Sequence, residues 1–192
     1  MRNNKLFCIL GKSASGKTTI LNEVLSKIDI PVLLSNTTRP KRDNEVNGVD
    51  YNFIDMHTFD TDYKNENILE YDVFRIDSLK QTWVYYTKKS DLLLDTTSQI
   101  KIVSPTGLAQ LMSNKELRDN IVSIYIDADD KLRKKRYLTR AISPDNMNDR
   151  FERDDRNFQH LFTDYIIIND ENTSIHNASN QLIDIIEREI RR

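Results

Sequence analysis

The sequence predicts an α/β protein whose parallel sheet is covered by helices on both faces. The first observation is a set of short apolar runs, at 5–10, 31–34, 101–104, 121–126 and 165–168. The second is helical spacing, in residues 18–27 and in a C-terminal stretch that carries Ile175, Leu182, Ile183, Ile186 and Ile190. Strands that are apolar along their whole length are typical of sheets buried on both faces.

Length and composition favour one cytoplasmic domain. The 192 residues include 28 basic and 30 acidic side chains, and the formal net charge of -2 gives no reason to expect a nucleic-acid or membrane partner. The one cysteine, Cys8, lies inside the first apolar run, where a small core residue is far more common than a nucleophile. A lone cysteine cannot form an internal disulfide, which fits a reducing compartment. We expect a monomer or a homodimer.

Two polar regions interrupt the alternation of strands and helices. Residues 35–87 are rich in Asn, Asp, Arg and Tyr, and contain only short β-like patches such as 51–54. Residues 129–157 are a dense mixture of basic and acidic side chains. Both regions therefore read as insertions at the rim of the sheet.

A phosphate-binding loop follows the first apolar run. Its residues are Gly11, Lys12, Ser13, Ala14, Ser15, Gly16, Lys17 and Thr18, which match G-x-x-x-x-G-K-[ST] throughout. Glycines let the backbone turn its N–H groups inward around phosphates, and the following helix points its N-terminus at the same anion. We expect Lys17 to reach the β- and γ-phosphates of ATP, Thr18 to ligate Mg²⁺, and Thr19 to complete the ATP site.

The alternative is a glycine turn that binds no ligand. Two of the four glycines in the whole chain lie in this one loop, between a predicted strand and a predicted helix. That context favours the phosphate-binding interpretation.

The polar stretch 35–53 carries a second motif. It has two arginines three residues apart and a nearby tyrosine, and such groups can hold a phosphate. The stretch resembles the acceptor region of the guanylate kinase family at Ser35, Thr38, Arg39, Arg42, Glu45, Gly48, Tyr51 and Phe53. The resemblance implies that Arg39, Arg42 and Tyr51 hold the acceptor's phosphate and that Ser35 faces its base. Farther on, Glu70 matches the family's guanine-reading glutamate.

The resemblance extends over essentially the whole chain. It implies a P-loop NTPase three-layer sandwich, with a core of 1–34, 88–128 and 158–192, an inserted NMP-binding subdomain at 35–87, and a helical lid at 129–157. Arg136, Arg140 and Arg150 match the arginines of the family's lid, which close over ATP. Asn169 matches a strand end that lies near the adenine. The basic cluster 131–136 could instead be a solvated helix face or a nucleic-acid patch.

Two departures from the family concern the acceptor pocket. Where the family has Tyr-Gly-Thr, this chain has Tyr85-Tyr86-Thr87, and the resemblance gives Tyr86 a phosphate contact and Thr87 a base contact. The family's strand aspartate corresponds to Ser104, so a carboxylate is expected to be missing there. Trp83 is either a core residue or part of the base pocket.

The function implied by the resemblance is ATP-dependent phosphorylation of a nucleoside monophosphate, GMP or dGMP, with Mg²⁺. Catalysis would depend on Lys17, Arg39 and the three lid arginines, because phosphoryl transfer needs positioning and cations around the transferred group. A kinase for another phosphate ester on the same frame, and a non-catalytic binding module, are the alternatives that the sequence leaves open.

Overall fold

The computed structural model describes residues 4–76, 80–139 and 147–192. Its strands are β1 (Leu6–Leu10), β2 (Asn36–Thr37), β3 (Asn52–Phe53), β4 (Ile68–Ile76), β5 (Gln81–Lys88), β6 (Gln99–Ile102), β7 (Ile121–Asp127) and β8 (Tyr165–Ile168). Its α-helices are α1 (Lys17–Leu25), α2 (Met56–Lys64), α3 (Pro105–Ser113), α4 (Asp130–Leu138), α5 (Met147–Asn157) and α6 (Ile175–Arg191).

The core is a parallel sheet in the order β6-β1-β7-β8. Successive side chains of β1 point to opposite faces, so Phe7 and Ile9 pack with α1 and α6, whereas Leu6, Cys8 and Leu10 pack with α3. All five are fully buried. Three layers therefore form, and the predicted α/β class with a parallel core is confirmed.

Burial also decides the reading of Cys8. Its thiol is fully buried, and this desolvation raises the pKa to about 12. The thiolate, which is the nucleophilic form, is therefore strongly disfavoured, as expected of a core residue.

Two of the predicted strands have different bounds or pairing in the structure. The run 31–34 pairs with the sheet only through a bridge between Val32 and Ile100, because Pro31 offers a carbonyl but no N–H to the ladder. The strand predicted at 101–104 begins at Gln99 and ends at Ile102. It ends early because the Ser104 side chain caps α3 by accepting from the N–H of Gly107.

The two polar regions contain their own regular structure. A second sheet with the order β3-β2-β5-β4 lies in 35–88 together with α2, and its largest part is the antiparallel pair of β4 and β5. Helices α4 and α5 lie in 129–157. The division into core, acceptor-binding subdomain and lid stays a prediction. In the described part of the chain, none of the helices has the length and apolar character that crossing a membrane requires.

Candidate active site

The phosphate loop joins β1 to α1 and closes on itself. The Lys17 ammonium group donates to the carbonyls of Gly11, at 2.6 Å, and Lys12, at 3.1 Å. Gly16 has φ of +96°, and a Cβ there would lie 2.3 Å from Asn169 Nδ2. The second glycine is therefore required both by its backbone conformation and by the packing of the loop against the end of β8.

Asn169 and Arg136 support this loop from outside. The Asn169 amide is fully buried and donates to the carbonyl of Ser15 at 2.7 Å. Arg136 donates to the carbonyls of Ser15 and Asn169 at 3.4 and 3.3 Å, and burial lowers its pKa, although the charge of Glu171 acts in the opposite direction. Asn169, predicted for the ATP site, and Arg136, predicted for the lid, thus both contact the loop, whereas the lid residue Arg140 lies outside the described residues.

Strands β4 and β5 build one wall of a cleft beside the phosphate loop. Side chains on one face of this antiparallel pair line the cleft, and these are Glu70, Asp72, Phe74, Trp83 and Tyr85. The same cleft is lined by Gly11, Ser13, Lys17, Ser35, Tyr51 and Arg150. Only 6% of the Trp83 surface is exposed, as in a core residue. Trp83 also lines the cleft, so it is part of the core and part of the pocket wall.

The prediction that Tyr86 faces the acceptor is wrong. Adjacent residues of a strand point to opposite faces, so Tyr86 and Thr87 cannot share a wall. Tyr86 is fully buried on the far side, where its hydroxyl donates to Asp62 at 2.6 Å and its ring packs against Phe59. Tyr85 is the tyrosine of this strand that faces the cleft.

Glu70 lies in the cleft wall with its carboxylate almost fully buried. Its Oε1 accepts from Thr87 Oγ1 at 2.6 Å and lies 3.1 Å from Lys101 Nζ. A Cβ on Gly107 would lie 2.6 Å from Glu70 Oε2. The glycine of α3 therefore makes the room in which the carboxylate sits. Thr87, for which a base contact is predicted, is fully buried, and its hydroxyl donates to this carboxylate.

The expectation that a carboxylate is missing near Ser104 is also wrong. Asp72, on β4, lines the same cleft as Ser104. Burial raises the pKa of Asp72, and the negative charge of Glu70 acts in the same direction, while Ser104 partly opposes the shift. The acidic group is therefore supplied by a different strand from the one that the sequence motif indicates.

Arg39 is held by Glu45. Its guanidinium group donates to both oxygens of Glu45, to the Tyr85 hydroxyl and to the carbonyl of Pro40. Only 4% of Arg39 is exposed, and burial alone would lower its pKa, but Glu45 and Tyr85 raise it. Of the five N–H groups of an arginine, these contacts leave one on Nη2 for a ligand.

Arg42 and Tyr51 lie beside this pair. Among the described residues, Arg42 Nε is buried without a hydrogen-bond partner. Tyr51 lines the cleft with its ring edge-on to Tyr85 at 5.7 Å, and burial raises its pKa. The predicted phosphate-holding residues of the acceptor motif are thus brought together, with Tyr85 added to them.

The guanylate kinase family model matches residues 3–189. This chain belongs to the guanylate kinase family. A guanylate kinase from Zymomonas mobilis is 44% identical over 71 residues, which are 36% of this chain and 33% of that protein. One from Mesoplasma florum is 29% identical over 209 aligned residues, which cover 98% of this chain and 63% of that protein. The chain therefore aligns with about a third to somewhat under two thirds of the length of these curated relatives.

Solved structures show the same fold. A guanylate kinase from Anaplasma phagocytophilum superposes with a TM-score of 0.73 and 20% identity, over 100% of this chain and 89% of that chain. A sugar kinase from Janibacter superposes with a TM-score of 0.53 and 13% identity, over 96% and 95%. At these identities the likeness establishes fold alone.

In this member of the guanylate kinase family, helix α5 supplies contacts that the sequence analysis missed. Asp154 accepts from the backbone N–H of Ser13 in the phosphate loop at 2.6 Å and from Arg133 at 3.1 Å. Arg133 is fully buried and donates to the carbonyl of Ser13. Arg153 lies over the ring of Phe74, 5.2 Å from its centre. The sequence shows these side chains only as part of the mixture of acidic and basic residues in 129–157. The fold is needed to show which of those charged residues face the phosphate loop.

No cluster of three or more acidic, histidine or cysteine side chains able to hold a metal ion occurs among the described residues. The Thr18 side chain is exposed in the first turn of α1, next to the loop. A single hydroxyl oxygen fits Mg²⁺ that takes its remaining ligands from phosphates and water. The donor set therefore suits Mg²⁺ arriving with a nucleotide better than an ion held by protein alone.

Proposed function

We propose that this chain transfers the γ-phosphate of ATP to GMP or dGMP, forming ADP and GDP or dGDP. One observation carries the proposal. A single cleft is lined by the phosphate loop through Lys17, by the acceptor motif through Ser35, Tyr51 and Glu70, and by α5 through Arg150. An arrangement of this kind lets donor and acceptor phosphates meet, which is the main requirement of phosphoryl transfer.

On the donor side, the loop amides and Lys17 would bind the β- and γ-phosphates. The helix α1 begins at Lys17, so the positive end of its dipole faces the same anion. Thr18 would hold Mg²⁺, whose chemistry when bound is to neutralise charge on the phosphate oxygens. Asn169 fixes the loop through Ser15, and its proposed contact with adenine adds to that support role.

On the acceptor side, Arg42, Tyr51 and the remaining N–H of Arg39 would bind the phosphate of the monophosphate. A buried guanidinium N–H without a partner is costly, and a phosphate oxygen would satisfy Arg42 Nε. Ser35 and Glu70 lie farther along the same cleft and would read the base. A carboxylate suits guanine, because guanine offers two parallel donors on one edge.

During transfer, Arg136 and Arg150 would neutralise charge that develops on the phosphoryl oxygens, and Arg140 would join them. The contacts of α5 with the loop and with Phe74 cover the cleft, and covering excludes water that would otherwise accept the phosphate. The chain's cytoplasmic location, and its state as a monomer or homodimer, stay predictions.

A coupled assay of ADP release tests the proposal. It contains ATP, Mg²⁺ and, in turn, GMP, dGMP, AMP, IMP, CMP, UMP and TMP. We expect turnover with GMP or dGMP, and loss of it by at least about a hundredfold in Lys17→Met, because the lysine contacts the transferring group. A chain that binds ATP but turns over none of the acceptors would refute the assignment and indicate another phosphate ester or a binding module.

A further inference from the structure

A lysine stands behind the base-reading end of the cleft. Lys101 on β6 is fully buried, and its Nζ lies 2.7 Å from Ser35 Oγ and 3.1 Å from Glu70 Oε1. Both partners line the cleft, whereas Lys101 lies beneath them. No motif used to assign the site includes Lys101, and lysine is among the residue types most rarely buried in full. Its position therefore needs a reason.

The first consequence concerns the Ser35 hydroxyl. An ammonium group can only donate hydrogen bonds, so Ser35 Oγ must be the acceptor of this one. The proton of Ser35 is then available to a ligand, and the hydroxyl faces the cleft as a donor. Without Lys101 the same hydroxyl could either donate or accept.

The second consequence concerns Glu70. Its Oε1 already receives the Thr87 hydroxyl and the Lys101 ammonium group, which leaves Oε2 for a ligand. A carboxylate with 5% of its surface exposed is costly to keep ionised unless a cation accompanies it. Lys101 is that cation, so the Glu70 carboxylate faces the cleft as an acceptor with a positive charge paired to its far oxygen.

We propose that Lys101 is a positioning residue that sets the acceptor specificity of the cleft, an inference that rests on the proposed function. By fixing Ser35 as a donor and Glu70 as an acceptor, it creates a pair that matches a 6-oxopurine. Guanine and hypoxanthine present a carbonyl acceptor at C6 and an N–H donor at N1. Adenine presents the opposite pattern, and its N1 lone pair would face the carboxylate of Glu70.

The test is a double-mutant cycle on Lys101 and Glu70. Lys101→Met keeps the length of the side chain and removes its charge, Glu70→Gln removes the charge of its partner, and the double variant removes both. Kd for GMP and AMP is measured by calorimetry, and kcat and KM by ADP release. Lys5→Met is the matched control, because Lys5 is also buried but donates to the carbonyl of Asp119, away from the cleft.

We expect Lys101→Met to weaken GMP binding by about tenfold or more, with KM for ATP changed by less than about twofold, since only base-reading groups are affected. The preference for GMP over AMP should shrink with it. In the Glu70→Gln background, the second change should weaken GMP binding less than Lys101→Met does alone, because only the contact with Ser35 is then left to lose. Lys5→Met should leave both Kd values unchanged.

The possible outcomes separate the two proposals. GMP binding that survives, or tightens, in Lys101→Met overturns the role of Lys101, as do effects that simply add in the double variant. If Lys101→Met does not fold, the step from Glu70→Gln to the electrically neutral double variant still tests the role, because a loss of GMP affinity of about tenfold or more at that step would show that Lys101 does not act through Glu70. Selective binding of GMP without turnover refutes the proposed function while leaving the cycle readable, and a wild-type chain that binds AMP as well as GMP overturns the inference directly.

Discussion

At the scale of single residues, the acceptor end of the cleft depends on an ion pair between Arg39 and Glu45. The two side chains are 4% and 9% exposed, and the guanidinium group meets both carboxylate oxygens. Breaking such a buried pair leaves a charge without compensation, which costs more than the pair contributes when intact. Glu45 therefore contributes to stability as well as orienting Arg39.

We predict that Glu45→Gln lowers the free energy of unfolding by about 2 kcal/mol, less than the usual cost of breaking a buried pair, because glutamine keeps an oxygen that can accept from Arg39. Burial alone would raise the pKa of Glu45, but Arg39 and the N–H of Arg42 lower it below its ordinary value of 4.5. A lowered carboxyl pKa stabilises the fold fully above pH 4.5, and that stabilisation is lost as pH falls through the folded-state pKa. Urea unfolding between pH 3 and 7 checks this, and a variant with the wild-type pH profile would contradict it.

Gly107 allows a second prediction at this scale. A methyl group at this position would lie 2.6 Å from Glu70 Oε2 and 2.7 Å from Val103 Cγ2, so Gly107→Ala must displace the carboxylate. We expect KM for GMP to rise by about tenfold, KM for ATP to stay nearly constant, and stability to fall by about 1–3 kcal/mol from overpacking. Steady-state kinetics with each substrate varied in turn would show it. Equal changes in both KM values would mean that the whole cleft had shifted.

At the scale of elements, the sequence predicts the core far better than the cleft wall. The strand 165–168 agrees residue for residue with β8, because a short run rich in β-branched residues and bounded by polar ones favours a strand over a helix. The run 85–87 carries two tyrosines and a threonine, and motif alignment alone does not say which face each occupies. Tertiary register decides it, since β5 pairs Tyr85 with Asp72 and Tyr86 with Tyr71.

The two adjacent tyrosines of β5 provide a matched test of this register. Tyr85→Phe removes the hydroxyl that accepts from Arg39, so we expect KM for GMP to rise by about three- to tenfold. Tyr86→Phe removes the hydroxyl that Asp62 binds on the other face, and should cost about 1–2 kcal/mol of stability with KM for GMP unchanged. Kinetics and thermal unfolding of both variants separate the faces. The reverse assignment of effects would mean that the register is shifted by one residue.

At the scale of the whole molecule, helix α5 joins three parts of the fold. Asp154 binds the phosphate loop, Arg153 lies over Phe74 of the second sheet, and α4 reaches the same point through Arg133. The Asp154 carboxylate therefore occupies the backbone N–H of Ser13, a group of the phosphate loop that the family resemblance predicts to bind ATP. The sequence could not predict this contact, because it joins residues 141 positions apart. A phosphate at that amide would compete with Asp154, and α5 would have to move for ATP to enter.

The last prediction follows from this competition. Asp154→Asn removes a negative charge beside the phosphate site but keeps an oxygen that can still accept from Arg133. We therefore expect the variant to bind ATP about three- to tenfold more tightly and to associate with it faster. Asp155→Asn is the control, because the Asp155 side chain is about half exposed and pairs with the Lys12 side chain instead of a loop amide. This variant should change the affinity for ATP by less than about twofold. Stopped-flow binding of a fluorescent ATP analogue measures both rates. Weaker ATP binding in Asp154→Asn would instead show that Asp154 holds the loop in its nucleotide-binding shape, through Arg133, and that α5 stays in place when ATP enters.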